Sequence, residues 1–177
     1  DIPADISSAA FFLVASSIAE GSDLTVEHVG MNPTRAGVIT ILTLMGADIE
    51  VLNEREVGGE PVADLRVRSA PLTGIEIPEG LVPLAIDEFP VLFIAAACAS
   101  GKTVLSGAEE LRVKESDRIA SMAEGLTRLG IENDVREDGI AITGGQITGG
   151  EVDTFHDHRI AMSFSVAALR ALGPIHV

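Results

Sequence analysis

Apolar residues gather in three dense blocks, each opened by an aspartate. The blocks are Asp5-Ile-Ser-Ser-Ala-Ala-Phe-Phe, Asp87-Glu-Phe-Pro-Val-Leu-Phe-Ile and Asp157-His-Arg-Ile-Ala-Met-Ser-Phe. An Asp oxygen in that place accepts a backbone N–H of the first helical turn, so each block reads as an N-capped helix. The first two openings stand 82 residues apart and the last two 70. A second kind of helix is amphipathic. Ile119, Met122, Ala123, Leu126 and Leu129 recur at helical spacing and stop at Gly130. Residues 34–45, stopping at Gly46, are its counterpart; the two glycines lie 84 residues apart and read as C′ caps.

Between the helices, short alternating stretches predict strands at 23–29, 48–52, 65–67, 103–105, 133–136 and 140–143. Glycine pairs at 58–59, 144–145 and 149–150 punctuate them. The chain therefore repeats helix, strand, helix, strand, strand, with a further strand leading into the next unit. The units fall at about 1–74 and 75–150, with a third, incomplete one at 151–177, and residues 71–80 with Pro83 form the joint between the first two. The fold class is α/β, of the α+β type, in a single domain.

Composition narrows the rest. Apolar residues make up 46% of the 177, enough for a sizeable core, and with six Phe and neither Trp nor Tyr that core is aliphatic. The formal net charge is −15, which disfavours nucleic-acid and anionic-membrane partners. Any anionic ligand must be held by a local cationic pocket against that field. The single cysteine, Cys98, sits in the apolar run 95–99 and reads as a small buried hydrophobe. No internal disulfide can form, which fits a reducing, cytoplasmic location. No charged-then-apolar leader is present, and no apolar run reaches the ~18 residues of a membrane span. The chain starts at Asp1 without Met and ends on Gly-Pro-Ile-His-Val, which reads as a strand just begun, so it is expected to be a fragment of a longer protein.

The chemistry concentrates in Lys114-Glu115-Ser116-Asp117-Arg118, which reads as the first turn of the second amphipathic helix. A helix N-terminus offers unpaired N–H groups and about half a positive charge, and Lys and Arg add full charges. If equivalent helices run parallel, Asp5, Asp87, Asp157 and residues 114–118 gather at one end and form an anion-binding face.

Leu111-Arg-Val-Lys-Glu-Ser-Asp-Arg-Ile119, Asp157-His-Arg-Ile-Ala-Met162 and the Asp5 block resemble the signatures of the 5-enolpyruvylshikimate-3-phosphate synthase family. The resemblance covers essentially the whole chain, and Ile86-Asp-Glu-Phe-Pro90 resembles the second, glyphosate-tolerant class of this herbicide target. It implies one domain of a two-domain enolpyruvyl transferase fold, an inverse α/β barrel of βαβαββ units whose helix N-termini face an interdomain cleft. The partner implied is an N-terminal half that supplies the glycine-rich phosphoenolpyruvate loop and most shikimate-3-phosphate contacts. The implied reaction moves the enolpyruvyl group from phosphoenolpyruvate to the 5-hydroxyl of shikimate-3-phosphate and releases phosphate, toward chorismate and the aromatic amino acids. It needs no metal or organic cofactor, and the enzyme is expected to be monomeric.

The resemblance implies that Asp87 is the base and Glu115 the proton shuttle to the methylene carbon. It further implies that Lys114 reaches shikimate-3-phosphate and that Arg118 and Arg159 clamp phosphoenolpyruvate. The residues alone leave alternatives open. Asp87 could be a plain N-cap, Glu115 a first-turn Glu favoured by the helix dipole, and each cation a solvated surface charge. A donor role for Glu115 requires a raised pKa, which burial would favour and its cationic neighbours oppose. Arg118 could pair with Glu115. His156-Asp157-His158 is too sparse for a metal, and His158 is expected to orient Arg159 or Asp157. Ser7 and Ser8 read as first-turn residues near the domain hinge, and Glu110 is given no substrate contact. Two rivals stand beside this reading. One is the sister enzyme acting on UDP-N-acetylglucosamine, which lacks the Lys-Glu-Ser-Asp-Arg run. The other is an isolated, non-catalytic folding domain.

Overall fold

The structure, a computed structural model, describes residues 2–177. Helix α1 (Ile6–Ile18) begins where Asp5 Oδ2 accepts from the Ser8 N–H at 2.9 Å. Strand β1 (Asp23–Gly30), helix α2 (Gly37–Leu44) and a hairpin of β2 (Asp48–Val57) and β3 (Glu60–Arg68) follow. A second run holds α3 (Phe89–Cys98), β4 (Lys102–Leu105), α4 (Arg118–Arg128), β5 (Asn133–Arg136) and β6 (Gly139–Thr143). A third holds β7 (Gly150–Glu151), α5 (His158–Ala167) and β8 (Ile175–His176).

The connections recur. Ala4 bridges Val29, Glu76 bridges Val104 and β7 pairs β8, all in parallel and each across one helix. In the first two runs a second helix and an antiparallel hairpin follow. The last hairpin strand inserts between its neighbours, giving the orders β1-β3-β2 and β4-β6-β5. Residues 71–80 are thus more than a joint, since Thr73 and Glu76 open the second run.

Helices α1 and α3 are mostly buried, and α5 covers them with one face, Ile160, Ser163, Phe164 and Ala167. Every residue of α3 from Phe89 to Ala97 is buried, as a helix with no polar face must be. It packs against both α1 and α5. Helix α4 instead shows one apolar face: Ile119, Met122, Ala123, Leu126 and Leu129 are buried while Ala120 and Glu124 are exposed. Both amphipathic helices end in the same Schellman arrangement. Gly130 (φ 82) donates to Thr127 O and Ile131 to Leu126 O; Gly46 (φ 94) donates to Thr43 O and Ala47 to Leu42 O.

Three expectations need correction. Helix α2 starts at Gly37, three residues after the predicted 34, because the Asn32 side chain holds Thr34 in an Asx turn and Gly37 N–H donates to Leu84 O. Strands β2 and β3 run on through the charged stretch 53–57 to the Gly58-Gly59 turn. Helix α4 starts at Arg118, capped by Asp117 Oδ1 accepting from Ala120 N–H at 3.0 Å. Residues 114–117 therefore precede the helix, after a 3-10 turn at Glu109–Val113.

Candidate functional site

Asp87 lies in a 3-10 turn, Ile86–Glu88, that leads into α3. Asp5 and Asp157 cap their helices, but the N-cap position of α3 is held by Glu88 and carries no side-chain cap bond. The Asp87 carboxylate is turned elsewhere. Its Oδ1 stands 3.4 Å from Arg118 Nη1 and 3.5 Å from Lys114 Nζ. Arg159 Nη1 donates to the Asp87 carbonyl at 3.3 Å. The three cations singled out in the sequence therefore converge on one residue, at the ends where α3, α4 and α5 begin.

Arg118 is 1% exposed although it is fully charged. Its Nε donates to Asp157 Oδ2 at 2.9 Å, and Nη2 reaches Asp157 Oδ1 at 3.5 Å and Glu115 Oε2 at 2.5 Å. One planar guanidinium thus faces three carboxylates, a geometry Lys could not supply. Asp157 is equally buried, and also accepts from Ser116 Oγ and the Arg159 N–H, each at 3.0 Å. Burial acts to raise the Asp157 carboxyl, but the hydrogen bonds and charge of Arg118, with Ser116 and Arg159 N–H, prevail and hold it below the usual carboxylate range.

Glu115 pairs with Arg118 yet has a half-exposed side chain (53%), so no apolar enclosure surrounds it. Lys114 is held by Glu110 at 2.5 Å, a partner the sequence reading did not foresee, and that hydrogen bond lifts the ammonium above the usual lysine range. Among the described residues no carboxylate lies within ion-pair reach of Arg159. His158 is exposed, and among the described residues it makes no hydrogen bond to Asp157 or Arg159; Arg118 and Ser116 hold Asp157 instead. Cys98 is partly buried at the far end of α3, away from Asp87, and burial pushes its thiol up to about 11.

Sequence reasoning missed a second cluster beside the first. Glu88 is 5% exposed, and its Oε1 accepts from Ser7 Oγ on α1. Arg35 Nη2 donates to Ser7 Oγ at 2.9 Å and pairs with Asp5 Oδ1 at 3.3 Å. The available signal was Glu88 itself: a Glu followed at once by the apolar run Phe89-Pro-Val-Leu has little chance of staying in solvent and needs a partner.

The model of the EPSP synthase (3-phosphoshikimate 1-carboxyvinyltransferase) family matches residues 1–177. The 3-phosphoshikimate 1-carboxyvinyltransferase of Alkalilimnicola ehrlichii is 72% identical across all of this chain, which spans 40% of that relative. The EPSP synthase structure from Acinetobacter baumannii superposes with a TM-score of 0.96 at 61% identity, over 98% of this chain and 41% of that one. The enolpyruvyl transferase NikO from Streptomyces tendae shares the fold at a TM-score of 0.72 and 20% identity. On the match along its full length and these identities, the chain belongs to the EPSP synthase family.

Proposed function

We propose that the protein containing this chain transfers the enolpyruvyl group of phosphoenolpyruvate to the 5-hydroxyl of shikimate-3-phosphate and releases phosphate. The observation that carries this reading is the meeting of Lys114, Arg118 and Arg159 at Asp87. Arg159 takes the carboxylate or phosphate of the incoming donor. The same ligand competes with Asp87 and Glu115 for Arg118 and loosens both carboxylates from it. Asp87 then accepts the hydroxyl proton while Glu115 protonates the methylene carbon. The hydroxyl oxygen bonds to the cation-like neighbouring carbon. The tetrahedral adduct expels phosphate, which leaves with the proton that Asp87 took, and Glu115 recovers its own proton from the methyl group as the double bond re-forms. Lys114 neutralises charge at the reacting centre. The rest of the machinery belongs to the other half of the full-length protein. That protein is proposed to be monomeric and cytoplasmic, with repeat units at about 1–74, 75–150 and 151–177 of this chain. Among the described residues no helix is long and apolar enough to cross a membrane.

The test is phosphate release by the full-length protein from the two substrates. Turnover is expected, with Asp87→Asn lowering kcat by about 10²–10⁴-fold. Arg159→Ala is expected to raise the KM for phosphoenolpyruvate far more than that for shikimate-3-phosphate. No phosphate release from the pair would overturn the reading.

A further inference from the structure

Among the described residues Glu88 and Asp157 are the two buried carboxylates, and they are partnered differently. Asp157 sits on the Arg118 guanidinium, whereas Glu88 sits on the neutral hydroxyl of Ser7. A carboxylate buried on a hydroxyl is expensive to keep, since burial favours the uncharged form. Glu88 also occupies the place where a short capping side chain would best serve α3, and it supplies no cap. Glu88 turns toward α1 to meet Ser7, while Asp87 beside it on the same 3-10 turn faces Lys114 and Arg118. On the opposite side the same turn is held by Arg159 at the Asp87 carbonyl.

We propose that Glu88, anchored by Ser7 and Arg35, is a positioning residue that sets the direction of the Asp87 carboxylate. The role rests on the enolpyruvyl-transfer reading and extends it to residues on α1 and before α2. The groups facing Glu88 are Ser7 from α1, Arg35 from the loop before α2, Arg159 from α5, and Asp87 on its own turn. A misplacement of about 1 Å at a reacting group can cost on the order of 10²-fold in rate, so a lost anchor reads out in kcat.

The experiment measures kcat and both KM values for the full-length protein as wild type, Ser7→Ala, Glu88→Ala and Glu88→Gln, each alone and with Asp87→Asn. Ser7→Ala and Glu88→Ala are expected to lower kcat by about tenfold or more while leaving both KM values near wild type. Glu88→Gln, whose amide oxygen can still accept from Ser7, should keep most of the activity. In the Asp87→Asn background the Ser7 and Glu88 effects should shrink to about twofold, because the group they direct no longer acts as a base. Wild-type kcat in Ser7→Ala, or an undiminished loss in the Asp87→Asn background, would overturn the role. If Glu88→Ala does not fold, Ser7→Ala and Glu88→Gln decide alone. A wild-type protein inert toward the substrate pair removes the functional reading and this role with it, an outcome distinct from active protein with insensitive variants.

Discussion

Arg118 lies buried against Asp157 and touches Asp87 and Glu115 at the rim, so its charge is both structural and chemical. Removing one member of a buried pair strands the other, at about 3–5 kcal/mol. Arg118→Met should therefore lose roughly that much in urea denaturation, and Arg118→Met with Asp157→Asn should lose less than the sum of the singles. The two buried carboxylates give opposite pH signatures. Asp157 is held low, so its contribution is present above the ordinary carboxylate range and vanishes as pH falls through its depressed folded-state value. Glu88 is pushed up, chiefly by burial, so the stability of its protonated form is present below the ordinary Glu value and vanishes as pH rises through the raised one. Thermal midpoints measured against pH should show Asp157→Asn flattening the acid limb and Glu88→Gln flattening the fall toward neutrality; a Glu88→Gln profile parallel to wild type would contradict the second. The convergence of Lys114, Arg118 and Arg159 was legible in sequence only on the assumption of parallel helices; Arg118 and Arg159 stand at helix starts, whereas Lys114 lies before one. That Arg118 would be buried, or that Ser7 would meet Glu88 across 81 positions, was not. Those pairings exist only once α1, α3, α4 and α5 have packed.

The spacing between α4 and α5 decides whether Arg118 on one can reach Asp157 at the cap of the other. Gly125 sets that spacing: a Cβ there would lie 2.2 Å from Phe164 Cζ. Alanine is the better helix former by about 1 kcal/mol, so propensity alone predicts that Gly125→Ala stabilises. The contact with a fully buried ring predicts the reverse, a net loss of about 1–3 kcal/mol from overpacking. Adding Phe164→Leu to Gly125→Ala should recover part of the loss in denaturation midpoint. Stabilisation by Gly125→Ala alone would show that the helices can part freely. Elements of this kind were readable where local chemistry is sufficient. The Asp5 and Asp157 caps, the apolar stripe of α4 and the glycine stops at 46 and 130 are all local. The full length of the β2–β3 hairpin was not, since its outer part is charged and broken by a bulge between Leu52 and Arg55, matched by one in β1 between Val26 and Val29. His28 (φ 59) and Asn53 (φ 52) take left-handed conformations opposite Asp64, whose carboxylate accepts from His28 N–H and Asn53 Nδ2 at 2.8 Å each. The repeat also misled at one place. Asp87 has the sequence look of Asp5 and Asp157 but departs from their capping role, and the departure falls where the cations meet.

Across the molecule, a formal charge of −15 surrounds a rim where three cations converge. On the proposed reading, a small anion would be captured at this rim by contact rather than by long-range attraction, since the net charge of this chain repels it. Asp87 and Glu115 both remain partly open to solvent, whereas proton transfers of this kind gain from enclosure. The chain also spans 40% of the length of the relative it matches at 72% identity. From these facts the 177-residue chain, produced alone and shown to be folded by circular dichroism, should release no phosphate from the two substrates. It should still bind phosphoenolpyruvate weakly, because Arg159 carries no competing carboxylate among the described residues. Without Trp or Tyr, binding is best read from amide chemical shifts, which should move at the start of α5 and around Asp87. Arg159→Ala should abolish those shifts while circular dichroism still shows a folded chain, at a stability cost of about 1 kcal/mol from the lost hydrogen bond to the Asp87 carbonyl. Measurable turnover by the isolated chain, or shifts confined to the far ends of α1 and α3, would mean that the rim at Asp87 is not where the anion is held.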